Sequence, residues 1–188
     1  MIAAKKILLS SVSLFLAFQT YKLFYLLISQ SINLNWAYAF FVACLINLFI
    51  TGFWAFLGFV FPTHKLLPLH YYNQIHVKRV NRLYKILNGE QFRLFLLATF
   101  WKSKKQRAKY FNGKKNGIEE MIFQSKQAEF GHLAALILIL ISCILLVINN
   151  YWKAVMICLC INIIFNFYPV LLQRKLRSRI FQIKDRLL

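Results

Sequence analysis

Four long apolar segments dominate the sequence and limit the folds open to it. They are residues 7–28, 36–61, 130–148 and 152–172. An α-helix rises about 1.5 Å per residue, so about 20 apolar residues cross a hydrocarbon core of about 30 Å. A content of 60% hydrophobic residues is also too high for an ordinary soluble domain. We therefore predict an all-α integral membrane protein with about four transmembrane helices.

The connections between these segments predict two helical hairpins. The first connection, 29–35, is short and uncharged, and the one at 149–151 leaves room only for a turn. The expected organisation is a transmembrane hairpin at 1–61, a basic, partly helical cytoplasmic loop at 62–129, and a second transmembrane hairpin with a basic tail at 130–188. A signal peptide is the less favoured interpretation of the first segment, because the apolar run is long and no small-x-small cleavage pattern precedes the connection.

The basic residues predict the orientation in the membrane. Of the 24 Lys and Arg residues, two precede the first segment, fourteen lie from Lys65 to Lys126, and six follow Leu172. Lys22 lies within the first segment, and Lys153 alone lies on the opposite side, next to the connection at 149–151. Lys and Arg in short loops remain on the cytoplasmic side, so both termini and the central loop are predicted to be cytoplasmic. This topology explains the net charge of +19 better than a nucleic-acid partner would.

The central loop contains a helical pattern of its own. Apolar residues recur at helical spacing between Lys and Arg, which predicts an amphipathic helix closed by a C-cap at Asn88-Gly89. The apolar positions are Ile75, Val80, Leu83, Ile86 and Leu87. Residues 92–101 are too short to span and too apolar for water, so we expect them at the headgroup boundary.

The end of the loop carries a basic run at 102–115. It would attract anionic lipid at about 1 kcal/mol per Lys or Arg, or serve only as a solvated determinant of topology; both interpretations remain open. A helix is predicted to begin at Asn116 and to continue into the third span, because Glu119 and Glu120 would lie in its first turn, opposite the positive helix end.

Glu129 and His132 form the first candidate catalytic pair. Residues three positions apart share one face of a helix. A carboxylate can orient an imidazole and raise its basicity, which lets a neutral histidine remove a proton from an attacking hydroxyl. The alternative is that both residues mark the membrane boundary, and the spacing alone favours that alternative.

A polar cluster at the end of the fourth segment supplies candidate substrate-binding residues. Asn162 and Asn166 are expected to face other helices, because an amide in hydrocarbon needs a hydrogen-bond partner. The guanidinium groups nearby could fork onto a phosphate or a carboxylate, although a basic stop-transfer cluster is the simpler interpretation. The candidates are Asn166, Gln173, Arg174, Arg177 and Arg179.

The cysteines and the remaining histidines indicate neither a cofactor nor a metal. All four cysteines lie in apolar segments and are expected to be reduced and buried. Cys158 and Cys160 have no Cys or His partner nearby in sequence, which argues against a metal site. The other histidines, interpreted as loop residues, are His64, His70 and His76.

Three stretches, residues 85–89, 118–132 and 166–179, carry a family resemblance. Together they resemble the glycosyl-4,4'-diaponeurosporenoate acyltransferase family of bacterial membrane proteins. Family members have an Ala-Glu-x-x-His step entering a membrane helix, here Glu129 and His132. They also have an Asn-x-x-Pro-x-x-x-Gln-Arg exit, here from Asn166 to Arg174.

The resemblance implies a chemistry and a location. It implies acylation of a sugar hydroxyl on a glycosylated carotenoid acid, a late step in making a membrane pigment of the staphyloxanthin type, in a bacterial cell membrane. The implied partners are membrane lipids, an acyl donor on an unidentified carrier and a glycosylated lipid acceptor. Where the family commonly continues with Tyr-Asn-Arg, this chain has Lys175, Leu176 and Arg177, so no role is transferred for that asparagine.

The leading hypothesis is therefore an O-acyltransferase with His132 as general base and Glu129 as its orienting partner. Arg174, with Arg177 or Arg179, would hold a donor phosphate or an acidic acceptor group, and Asn166 and Gln173 would be polar partners. The alternative is a non-catalytic membrane protein whose basic loop binds anionic lipid or a partner enzyme.

Overall fold

The computed structural model describes residues 2–30, 32–99 and 116–187. Within these ranges the regular structure is helical and no strand occurs. Four helices are long and apolar enough to cross a membrane: Ala3–Gln30, Trp36–Val60, Gly117–Ile148 and Trp152–Gln182. The prediction of an all-α chain with four helices of membrane-spanning length is confirmed. The basic run at 102–115, for which lipid attraction and a role in topology alone both remained open, lies outside the described residues.

The helices follow one another with short connections. In chain order they are α1 (Ile2–Gln30), α2 (Trp36–Val60), a 3₁₀ turn (Thr63–Leu66), α3 (Leu69–Asn73), α4 (Val77–Ile86), α5 (Gly89–Thr99), α6 (Asn116–Ile148), α7 (Trp152–Asn162), a π-helical turn (Ile163–Phe167) and α8 (Tyr168–Leu187). As expected, α6 begins in the loop and continues through the third apolar segment.

The chain divides into two compact units, each built from two separate stretches. Unit 1 comprises residues 1–63 and 131–167, and unit 2 comprises 64–130 and 168–188. The fourth apolar segment, expected as one span, is divided between the units after Phe167.

Unit 1 is a bundle held together by small and branched side chains. On α2, Ala39, Ala43 and Ile46 recur at helical spacing, are fully buried, and share one apolar core with α6 and α7. Small residues let helix backbones approach closely, which is how membrane helices gain packing energy without a hydrophobic driving force between them. Asn47 adds a polar link, because its amide donates to the backbone carbonyl of Cys158 at 3.3 Å.

Unit 2 packs α4 and α5 against α8. Val80 and Tyr84 of α4 are buried with Leu171 of α8. Val80 belongs to the apolar face that the helical spacing predicted, whereas Tyr84 does not, and Ile86 of that face is exposed. The Tyr168 hydroxyl donates to the carbonyl of Leu87 at 2.8 Å and fixes the end of α4. Leu83, by contrast, is 46% exposed, so the apolar stripe is wider than the face that α8 covers.

The turn between α4 and α5 depends on two residues with different tasks. Asn88 takes the left-handed conformation with φ of 49°, as a residue after a helix end often does. Gly89 begins α5 next to the ring of Tyr84, where a Cβ atom would lie 2.5 Å from the ring carbons. The predicted cap is therefore made by Asn88, and Gly89 is required for close packing.

The π-helical turn in the fourth apolar segment was not expected from the sequence. Pro169 has no N–H group, so it cannot donate to the carbonyl of Phe165 four residues earlier. The helix widens over Ile163–Phe167 just before this proline. Such turns are frequent at functional sites, and this one contains the buried Asn166.

Candidate functional site

A directional chain of amide hydrogen bonds crosses unit 1. It starts at a backbone carbonyl, which can only accept: Asn162 Nδ2 donates to the Leu136 oxygen at 3.2 Å. With its Nδ2 atom bound to Leu136, Asn162 directs its Oδ1 atom towards Asn166. The Oδ1 atom accepts a hydrogen bond from Asn166 Nδ2 at 2.9 Å. Both asparagines are almost fully buried. The backbone therefore sets the orientation of both side-chain amides.

His132 lies at the end of this chain. The Asn166 Oδ1 atom is 3.2 Å from the Nδ1 atom of His132. A carbonyl oxygen cannot donate, so the proton of the neutral imidazole resides on Nδ1 and the lone pair on Nε2. His132 as a whole residue is half-buried. This tautomer is the one in which Nε2 can accept a proton from a substrate.

A hydroxyl group from α2 supports the arrangement. Thr51 is hydrogen-bonded to Asn166 and accepts from its Nδ2 atom at 3.1 Å. The Asn166 amide is therefore held both by Thr51 of α2 and by Asn162 of α7.

A buried ion cluster lies in unit 2 and is built around Glu129. Its Oε1 atom accepts from Arg174 Nε at 2.8 Å, and its Oε2 atom accepts from Arg177 Nη2. The Glu129 and Arg177 side chains are both 0% exposed. Charge-assisted hydrogen bonds of this kind are roughly twice as strong as neutral ones, which offsets part of the cost of burying the charges.

Polar groups from the same unit complete the cluster. Arg177 donates from Nη1 to Ser125 Oγ at 3.0 Å, and Ser125 in turn donates to the carbonyl of Gln173 at 3.2 Å. Arg177 is also stacked on Tyr72, with 5.4 Å between the guanidinium carbon and the ring centroid. Arg177 is therefore a structural residue that no substrate can reach directly.

Arg174 differs from Arg177 in exposure. Its side chain is 34% exposed, and its guanidinium lies 4.6 Å from the ring centroid of Tyr71. Burial, and then the negative charge of Glu129, raise the pKa of Tyr71 above its ordinary value. Glu129 and Tyr71 hold the Arg174 guanidinium in place while part of it stays exposed. An anion-binding site requires such a fixed and accessible cation.

The candidate residues named from the sequence lie in these two groups, except for Arg179, which lies apart from both. His132 lies with Asn166 in unit 1, and Glu129 lies with Arg174 in unit 2. The hypothesis made Glu129 the hydrogen-bond partner of His132. In the structure Asn166 is the partner of the His132 Nδ1 atom instead. Both Glu129 oxygens bind arginines. Arg179 is exposed and lies near Glu90, whose pKa is lowered chiefly by Arg93 and to a smaller extent by Arg179.

Several residues of these sites were not identified from the sequence. Thr51 and Ser125 are single polar residues whose partners lie far away in the chain, so no local pattern revealed them. His64, expected in an open loop, is buried, and its Nδ1 atom lies 2.6 Å from Gln127 Oε1. In the described part of the chain, no three His, Cys, Asp or Glu residues are arranged to hold a metal ion.

Comparison with known proteins gives one match. The family model described as glycosyl-4,4'-diaponeurosporenoate acyltransferase matches residues 68–186, which include Glu129, His132 and Asn166. No curated protein and no solved structure matches the chain. The matched range covers more than half of the chain and includes the residues on which the resemblance was based.

Proposed function

Because this chain belongs to the glycosyl-4,4'-diaponeurosporenoate acyltransferase family, we propose that it is a membrane-embedded O-acyltransferase. The reaction would move a fatty acyl group onto a hydroxyl of a glycosylated lipid, such as a glycosyl carotenoid acid. Four helices of membrane-spanning length support this, because both reactants are amphipathic and reach the enzyme through the bilayer. The location would be a bacterial cell membrane, with both termini on the cytoplasmic side.

The base in this proposal is His132. Its Nε2 atom takes the proton of the sugar hydroxyl while the hydroxyl oxygen forms a bond to the acyl carbonyl carbon. The bond from that carbon to the donor's leaving atom then breaks, and the imidazolium returns its proton to the leaving group. The amide chain ending at Asn166 carries the proposal, because it leaves the Nε2 lone pair available.

The proposed anion site is Arg174, with Gln173 and Arg179 as further polar groups on α8. Arg174 would bind a phosphate or an acidic group of a reactant through the exposed part of its guanidinium. Glu129 would act as a positioning residue that holds Arg174. Arg177 would keep Glu129 in place, because it is fully buried and cannot contact a ligand.

The first test is substitution of the base. In cells that make the glycosylated acceptor, His132→Ala should lower acyl transfer by about 10²–10⁴-fold, the usual contribution of a general base. Asn166→Leu should lower it as well, because the tautomer is no longer fixed. The measurement is the ratio of acylated to unacylated lipid in extracts, divided by the amount of protein in the membrane.

A matched control is available in the same chain. His70 is an exposed histidine on α3, so His70→Ala should leave the ratio unchanged. Normal acyl transfer by His132→Ala at normal abundance would reject the base. Identical lipid extracts with and without the wild-type protein would favour the non-catalytic alternative.

A further inference from the structure

A cavity of about 350 Å³ lies at the end of unit 1 where α2 begins and α6 ends. The α1–α2 connection forms one wall, and the turn between α6 and α7 forms the other. The polar residues of its lining are Asn33, Asn149, Asn150 and Lys153. None of them has a task in the proposed acyl transfer.

Lys153 is held in place without a carboxylate. Its Nζ atom donates to the carbonyl of Leu34 at 3.1 Å and lies 5.9 Å from the ring centroid of Trp36. An ammonium group has three N–H donors, so the contact with Leu34 leaves donors for a ligand. Lys153 is half-buried, which limits how much water can solvate its charge.

The counter-ion of Lys153 cannot come from its own unit. All five acidic residues lie in unit 2, and residues 1–63 and 131–167 contain neither Asp nor Glu. A partly buried cation beside apolar helices is stabilised by a nearby anion. The anion therefore has to be supplied from outside the unit.

The residues around the cavity indicate the depth at which it lies. Trp36 and Trp152 begin α2 and α7 and are 57% and 55% exposed. Tryptophan at the ends of apolar helices is enriched at the membrane–water interface, at the level of the lipid headgroups. The anions at that level are phosphate groups.

We propose that this cavity binds the phosphate group of an anionic phospholipid, with Lys153 as its counter-ion. Asn33 and Asn150 would donate from their amides to the phosphate oxygens, whereas the Asn149 amide already donates to the carbonyl of Leu145 at 2.8 Å. The site would fix a lipid at the interface independently of the chemistry at His132.

The test is lipid retention by the full-length protein. Wild-type protein is reconstituted in nanodiscs of phosphatidylglycerol and phosphatidylcholine. The protein is then released from the nanodiscs inside a native mass spectrometer, and its mass gives the number of phosphatidylglycerol molecules that stay bound. Lys153→Gln should retain about fivefold less, as expected for one basic residue near an anionic headgroup. Lys22→Gln is the control, because Lys22 lies within an apolar segment and is exposed. Equal retention by Lys153→Gln and Lys22→Gln would overturn the proposal.

A second variant keeps the test valid if Lys153→Gln does not accumulate. Asn150 has a φ of 63°, which glycine adopts freely, so Asn150→Gly removes the amide and preserves the turn. Asn150→Gly should also retain less phosphatidylglycerol than the wild type. If it retains as much as the wild type, the proposed role of the amides is contradicted. Inorganic phosphate at millimolar concentration should not displace the lipid; displacement would identify free phosphate as the ligand and reject a lipid.

Discussion

At the scale of single residues, Glu129 can be tested apart from catalysis because both of its oxygens bind arginine. Glu129→Gln leaves Arg177 buried without a counter-charge, so the protein should lose about 3–5 kcal/mol of stability. The measurement is thermal unfolding of the purified protein, with its abundance in membranes. Glu119→Gln on the same helix is the control, since Glu119 is exposed. Wild-type stability of Glu129→Gln would show that the cluster is not structural.

Tyr72 gives unit 2 a sensitivity to alkaline pH. Burial, and then the charge of Glu129, raise its pKa well above the ordinary value of about 10. The folded state therefore keeps the hydroxyl proton at a pH where the unfolded chain loses it. The associated stability is complete below about pH 10 and falls as the pH rises further.

The pH dependence can be attributed to Tyr72 by substitution. The melting temperature should fall as the pH rises from about 10 to about 11.5, and that of Tyr72→Phe should fall less steeply. The variant starts from a lower melting temperature, because it lacks the hydrogen bond to the carbonyl of His64. Tyr25→Phe, which alters an exposed ring in α1, should keep the wild-type slope. Equal slopes for all three proteins would contradict the assignment.

At the scale of helices, Gly89 is the most sensitive position in the α4–α5 turn. Gly89→Ala puts a Cβ atom 2.5 Å from the Tyr84 ring, and overpacking of this kind costs about 1–3 kcal/mol. Alanine's better helix propensity, worth up to about 1 kcal/mol, offsets only part of that.

Gly131→Ala is the matched control for this prediction. A Cβ atom there would meet its nearest neighbour, the Trp54 carbonyl oxygen, at an ordinary 3.8 Å. Denaturant unfolding should therefore find Gly89→Ala less stable than Gly131→Ala. A Gly89→Ala protein as stable as the wild type would mean that Tyr84 moves aside without cost.

Helices of membrane-spanning length were predictable from the sequence because the apolar length that a bilayer requires is visible residue by residue. The continuation of α6 from the central loop into the third apolar segment was expected for a similar local reason, because the acidic Glu119 lies in its first turn. The π-helical turn at Ile163–Phe167 was not, because apolar periodicity does not distinguish it from an α-helix.

The site was predictable only in its residue types. Glu129, His132, Asn166 and Arg174 were all candidates, but their pairing depends on contacts between residues far apart in the chain. Arg174 and Glu129, for example, are 45 residues apart. Spacing along one helix suggested Glu129 as the partner of His132, and only the packing of other helices reveals Asn166 in that position.

At the scale of the whole molecule, the distribution of Lys and Arg predicts which side of the membrane each connection faces. Asn150→Cys, in the α6–α7 turn, should react with a membrane-impermeant maleimide in intact cells. Gln74→Cys, between α3 and α4, should react only after the cells are permeabilised. The wild type, whose four cysteines lie in apolar segments, gives the background. The reverse labelling pattern would mean that the orientation is inverted.

The discontinuous make-up of unit 2 has a consequence for biosynthesis. Arg174 and Arg177 follow Glu129 by 45 and 48 residues, so Glu129 leaves the ribosome before either arginine does. Until then Glu129 is an uncompensated carboxylate in a helix entering the bilayer. A nascent chain that stalls before Arg177 would therefore expose a feature that membrane quality-control proteases can recognise, whereas the finished chain conceals it.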